Sequence, residues 1–421
     1  MIETAQPDVI VIGGGPAGSS VSTLLAKQGL RVELFERDHF PRFHIGESLI
    51  PHSYGMLERL DMLDTMRNSH FIKKYSVQFI NQHGKLSEPF YFVDHRPHES
   101  SQTWQVRRSE FDNLLLNNAR RHGVQVHQGA RVLEVLFEGS RAVGVRVQCE
   151  GESAPREVRA QVVVDASGQS SLLIDRLHLR EWDPVLKKAA VWTYWKGAFR
   201  DVGRDEGGTI VIQTEGKKCW FWYIPLHDDV VSVGVVGAYD HLFEGRASKD
   251  LEKIYFEEVE RAPGLQPRLA NATQCDVFRA QKEYSYRAKQ VAGDGWVLVG
   301  DAFGFLDPLY SSGVLLALTS GAMAADAIAE GFRKGDTSET QLRTWERDFV
   351  AGMERIRRLV CVFYDGFSFG RFVRKYPDLK GYVTDVLIGD VFKDDVDVLW
   401  PLMDEMQAEE AATRAAQSAA S

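Results

Sequence analysis

Four sets of residues have the types and spacing for chemistry. Gly13-Gly14-Gly15-Pro16-Ala17-Gly18 is a GxGxxG turn, and Glu36 follows it at a distance that fits a second strand. Gly13 permits a tight turn, Gly15 lets a pyrophosphate approach the backbone, and Gly18 lets a helix pack closely on a strand. Glu36 can accept hydrogen bonds from a ribose hydroxyl. Gly13, Gly14, Gly15, Ala17, Gly18 and Glu36 therefore read as a dinucleotide site. Ser312-Gly313-Val314 is a small-residue turn entering a helix. Free backbone N–H groups and the positive end of a helix dipole suit an anion at Ser312 and Gly313, the lesser alternative being that Ser312 is an ordinary N-cap. Lys73 and Lys74 are neighbours on a strand, so they point to opposite faces and only one can enter a pocket. Trp220 and Trp222, at i and i+2, share a face that either walls a pocket or fills a core.

These residues need elements to hold them. Asp8–Ile12 is a β-branched run suited to a buried parallel strand, 19–28 reads as a helix closed by Gly29, and 31–35 as a second strand. This βαβ unit opens a doubly wound sheet. Residues 40–51 are loop-like, 74–80 alternate as a strand, and 111–121 form an amphipathic helix. Runs at 209–213, 220–224 and 230–236 lack intervening helices, which predicts an antiparallel layer. Residues 295–300 are strand-like and 314–329 helical. Ser338-Glu-Thr-Gln341 looks like a capping box opening a helix through Leu342, Trp345, Phe349, Met353, Ile356 and Val360. The tail from Glu409 is expected to fray. The fold class is thus α/β: a Rossmann-like nucleotide-binding domain (1–75, 104–185, 290–332), an antiparallel substrate layer (76–103, 186–289) and a C-terminal helical region (333–421).

The 421 residues suffice for two or three packed units. A net charge of −9 argues against nucleic-acid binding. Cys149, Cys219, Cys275 and Cys361 lie far apart, without the spacing of a zinc site or a disulfide framework, which fits a reducing cytoplasm. No uninterrupted apolar run nears the ~18 residues of a membrane span. The apolar run at 9–25 is broken by glycines and lacks a basic lead, so it does not read as a signal peptide.

Trp296-Val-Leu-Val-Gly-Asp301-Ala302 resembles the second flavin-contacting motif of the aromatic-hydroxylase superfamily. Val162-Val-Val-Asp165-Ala-Ser-Gly168 resembles its middle motif, and Arg108 its arginine near the flavin. The resemblance implies that the dinucleotide is FAD, with Asp301 on the ribityl chain. Trp220-Phe-Trp222-Tyr-Ile224-Pro225 matches the WxWxIP motif of flavin-dependent halogenases. Gly46-Glu-Ser-Leu-Ile-Pro51 is similar to their GES-LxP loop. Asp307-Pro-Leu-Tyr-Ser-Ser-Gly-Val314 is similar to their halide and flavin loop, which implies halide contacts at Ser312 and Gly313 and a flavin contact at Val314. A lysine five residues before Phe79 selects Lys74 over Lys73.

The likeness spans 8–330 and is closest to the shorter enzymes acting on phenols or carrier-bound pyrroles. It implies that reduced FAD, O2 and chloride or bromide give hypohalous acid. The oxidant would pass Trp220 and Trp222 to Lys74, whose burial should lower its pKa, and there halogenate an electron-rich ring. The ring would be a phenol or pyrrole, free or tethered to an acyl or peptidyl carrier protein. A separate NAD(P)H-dependent reductase would supply the reduced flavin. Tyr310 stands where tryptophan halogenases carry a glutamate, and tyrosine is a poor base near neutral pH. The alternatives are an aromatic monooxygenase, a geranylgeranyl-reductase-like saturase and an idle flavin-binding partner. A docking patch for a carrier is sought at Arg355, Arg357, Arg358, Arg371, Arg374 and Lys375.

Overall fold

Val9–Ile12 carries β-branched side chains on both faces, as a strand covered on both sides should, and all four residues are buried. In the computed structural model, which describes residues 6–244, 246 and 249–420, this strand lies inside a six-stranded sheet. Val32–Phe35 and Val162–Asp165 flank it in parallel, and Gln125–His127 and Trp296–Leu298 extend the sheet, also in parallel. Ala292–Gly293 closes one edge antiparallel. Helices Pro16–Lys27 and Gly313–Lys334 pack together, and Gly321 permits the approach: a Cβ there would lie 2.8 Å from the Ala17 carbonyl oxygen. Gly313–Lys334 is long and apolar enough to cross a membrane, yet 78% of its apolar window is buried within the protein. It is a core helix.

A nine-stranded sheet forms the second layer. Its central strands, Arg180–Lys196, Val230–Ala238, Cys219–Pro225 and Thr209–Gln213, pair antiparallel in that order. The layer is not purely antiparallel, because Ser76–Ile80 joins Thr209–Gln213 in parallel. These two strands are far apart in sequence, so no hairpin dictates their direction. Gly304–Phe305 also pairs into this sheet, although it falls within the segment expected to serve the nucleotide site. Period 2 sorts the faces. Trp220, Trp222 and Ile224 belong to the core shared with the nucleotide-binding sheet, whereas Phe221 and Tyr223 pack into a second core with Ile254 and Tyr255.

Three sequence expectations are revised. The strand expected over 74–80 breaks at Tyr75: Ile72–Lys74 pairs with Thr103–Gln105 in a separate ribbon, and Ser76–Ile80 joins the large sheet. The helix expected from Ser338 stops at Leu342 and restarts as Glu346–Tyr364. At the break, Trp345 Nε1 donates to the Leu342 carbonyl (3.0 Å), and Ser338 makes no side-chain cap bond. The tail is helical over Leu399–Ala420, its first turns anchored by buried Leu399, Trp400, Met403 and Met406.

Candidate active site

The glycine turn is dictated by sterics. Gly13 has φ +99°, and a Cβ on Gly18 would lie 1.9 Å from the Gly13 carbonyl oxygen. Glu36 braces the turn, its two carboxylate oxygens accepting from the Gly14 N–H (2.7 Å) and the Asp38 N–H (2.8 Å). A carboxylate offers about four acceptor positions, so capacity remains for a ribose hydroxyl. Gly13, Gly15, Ala17 and Glu36 line a cavity of about 630 Å³, together with Arg108, Asp301, Gly313 and Val314. Gly14 and Gly18 stand behind it, shaping the backbone.

Asp301 tests the fit of a flavin dinucleotide. Its carboxyl faces the cavity without a protein hydrogen bond among the described residues, and burial raises it to about 6 against the pull of Arg108. Such a group calls for a hydroxyl donor from a ligand, and the ribityl chain of FAD carries several. Arg108 is fixed by Asp112, with Nε and Nη2 donating at 2.8 and 3.1 Å, and Nη1 donates to the Ile45 carbonyl at 2.7 Å. Burial would raise the Asp112 carboxyl, but the guanidiniums of Arg108 and Arg42 hold it below its usual value. The residues present fit FAD.

Trp220, Trp222 and Ile224 wall the same cavity, and Pro225 ends their strand outside it. Neither indole is free to swing. Trp220 Nε1 donates to the Tyr364 hydroxyl (3.0 Å), which donates to Asp307 Oδ2 (2.9 Å). Trp222 Nε1 donates to Ser232 Oγ (3.1 Å), and its ring occupies space left by Gly234, where a Cβ would come within 2.2 Å. At the expected halide turn, Ser311 takes a left-handed conformation (φ +57°) and lines the cavity with Gly313. Ser312 is buried behind this wall, so the structure brings Ser311 rather than Ser312 to the cavity. Burial, reinforced by Asp307, raises the Tyr310 phenol far above its ordinary value, so it stays neutral.

Ser48 and Thr209 mark another part of the cavity wall. Lys74 lies just behind Ser48, 3% exposed, with Nζ donating to Ser48 Oγ (2.8 Å) and the Leu49 carbonyl (3.1 Å). Ser48 Oγ meets Thr209 Oγ1 at 2.9 Å, and Thr209 Oγ1 accepts from Gln105 Nε2 at 2.8 Å. The Phe92 ring centroid lies 5.7 Å from Nζ. Burial, with no carboxylate among the described residues to offset it, pulls the Lys74 ammonium down to about 7. Lys73 is exposed, as strand alternation requires.

Sequence reasoning gave no role to Ser48, Gln105, Thr209 or Glu47. Ser48 and Glu47 sat within the GES-LxP loop. Gln105 and Thr209 carried no local signal. Glu47 lines the cavity, and burial raises its carboxyl to about 7 while Ser232 and Tyr194 pull the other way. Much of the basic patch considered for carrier docking is spent internally. Arg355 is buried against Asp394 and Asp397, Arg357 pairs with Asp183, Arg358 with Asp404, and Lys375 with Glu409.

The tryptophan halogenase family matches residues 92–368, and the FAD dependent oxidoreductase family residues 8–175. The chain is 32% identical to a 1H-pyrrole-2-carbonyl-(peptidyl-carrier protein) chlorinase of Pseudomonas fluorescens, over 91% of this chain and 89% of that protein. It is 33% identical to the corresponding brominase of Pseudoalteromonas luteoviolacea, over 93% and 94%. The solved structure of the flavin-dependent brominase Bmp2 superposes with a TM-score of 0.85 at 30% identity, covering 97% of this chain and 100% of that one. With a nucleotide cavity that fits FAD and an intact WxWxIP wall, this chain belongs to the flavin-dependent halogenases.

Proposed function

We propose that the chain halogenates an electron-rich aromatic ring, a phenol or a pyrrole, free or held on a carrier protein, and that Lys74 directs the halogen. One observation carries this reading: a single cavity touches both the glycine turn and Ser48, behind which a desolvated lysine waits. Reduced FAD with O2 supplies the two-electron oxidation of chloride or bromide to hypohalous acid, and a separate NAD(P)H-dependent reductase supplies the reduced flavin. The chain's own residues do the rest. Backbone N–H groups of Ser312 and Gly313 hold the halide, since the Ser311 N–H already donates to the Pro308 carbonyl, and Ser311 contributes its side chain to the cavity wall beside them. Trp220 and Trp222, each locked by a hydrogen bond, keep the organic substrate from the flavin.

Lys74 serves in either protonation state. As an ammonium it donates a hydrogen bond to the hypohalous oxygen. As a free amine its lone pair takes the halogen, and the hydroxide leaves with an amine proton as water. A pKa of about 7 makes both forms available near neutrality. Tyr310, neutral where a carboxylate would act as base, favours a ring that needs little activation. The chlorinase and brominase relatives act, by their names, on a carrier-bound pyrrole.

The test supplies purified protein with FAD, a nicotinamide-dependent flavin reductase, O2 and halide, and offers a phenol and a pyrrole, free and carrier-bound. A halide-dependent mass gain on the ring is expected. A hydroxylated product without halide dependence would identify a monooxygenase instead.

A further inference from the structure

Outside the cavity, three chain segments meet at a cluster of ligand-type side chains. His70 precedes the Lys74 strand, Glu110 lies in the first turn of the helix begun by Arg108, and His227 follows the WxWxIP strand. His70 Nε2 lies 2.7 Å from Glu110 Oε2, and His227 Nε2 lies 3.0 Å from Glu110 Oε1. The three ligand atoms all lie within 4.8 Å of one another. Asp228 Oδ2, 3.7 Å from His227 Nε2, stands within reach as a fourth.

We propose that His70, Glu110 and His227, with Asp228 as the fourth ligand, bind one divalent transition-metal ion of the zinc class. Two imidazoles and two carboxylates are a borderline N/O set, which suits Zn²⁺ and its neighbours better than Ca²⁺ or Mg²⁺. Two neutral imidazoles and two carboxylates also balance a dication. Zinc–ligand bonds of ~2.0–2.1 Å place tetrahedral ligand atoms about 3.3 Å apart. The two contacts to Glu110 need a few tenths of an ångström to open, and the His227–Asp228 separation needs a few tenths to close. His70 can supply its part of that movement, since its side chain is 65% exposed.

A second cluster, Cys219, His241 and Glu258, is the weaker candidate. Glu258 there already pairs with Arg246 and Arg261, so an ion would compete with two guanidiniums. At the first cluster Arg107 lies 3.6 Å from Asp228 and makes no ion pair with Glu110 among the described residues. A bound ion would staple the lysine strand, the tryptophan strand and the arginine helix together. Its role would be structural.

The test is titration of chelator-stripped full-length protein with Zn²⁺ by calorimetry, with Co²⁺ absorption spectra as a second probe and thermal melting as a third. One ion per chain is expected, with a raised melting temperature and a tetrahedral Co²⁺ spectrum. His70→Ala and Glu110→Gln should each weaken binding about 100-fold, while His241→Ala leaves it unchanged. No saturable binding, binding retained in both His70→Ala and Glu110→Gln, or binding lost only in His241→Ala would overturn the proposal. Because the readout is metal binding, the outcome does not depend on the halogenation chemistry.

Discussion

At the flavin end of the cavity, glycines and one carboxylate drawn from a single βαβ unit shape the surface mostly from backbone. At the lysine end, Ser48, Lys74, Gln105 and Thr209 come from four separate segments, brought together by the Lys74 ribbon, a backbone bridge between Ser48 and Gln105, and side-chain hydrogen bonds. The first end is local and steric, and it tolerates no added atom at Gly18. The second is long-range and electrostatic, and it holds a cation where a cation is costly. The contrast separates what a short motif can specify from what only the assembled sheet can.

The largest expected effect is at the local end. Gly18→Val places side-chain atoms on the Gly13 carbonyl and should cost at least ~3 kcal/mol, with loss of bound flavin absorbance on purification. Retained flavin would mean that the turn is more plastic than its geometry implies.

Lys74→Met probes the other end with the opposite sign. Burial sets the folded pKa of Lys74 near 7, well below that of an exposed lysine. Between those values the folded state binds fewer protons than the unfolded one, so wild-type stability rises with pH across that window. Below pH 7 the whole cost of burying the charge is present, on the order of a few kcal/mol. The methionine variant should therefore melt higher than wild type at pH 6.5, with the gain shrinking toward pH 10. An unchanged melting temperature across that range would show that Lys74 is not desolvated.

Ser48→Ala sharpens the comparison with a smaller change. It leaves Lys74 only the Leu49 carbonyl and should lower halogenated product about tenfold without slowing flavin reoxidation. A matching fall in both would assign Ser48 to the flavin end.

The same contrast explains what was legible in the sequence. The turn at 13–18, the strands at 9–12 and 32–35 and the tryptophan strand could be read because each is specified within a few residues. Lys74 was separable from Lys73 by strand alternation together with a resemblance, and the structure buries Lys74 behind Ser48 while Lys73 is exposed. Gln105 and Thr209 were not legible, since a lone glutamine and threonine carry no pattern until the sheet brings them within 2.8 Å. The exchange of Ser312 for Ser311 at the cavity wall rests on a left-handed residue that no composition signals. The break at Tyr75 was missed because a period-2 pattern continues across a change of sheet.

In the proposed division of labour, oxidant forms at the flavin end of one cavity and the ring is substituted at the other end, where Lys74 stands behind Ser48. Lys74→Ala measures this most directly when halogenated product and reoxidation of reduced flavin are followed in the same reaction, beside Lys73→Ala. Lys74→Ala is expected to bind FAD and reoxidise it at close to the wild-type rate while halogenated product falls to background, and Lys73→Ala to keep most of its activity. Full halogenation by Lys74→Ala, or loss confined to Lys73→Ala, would contradict it.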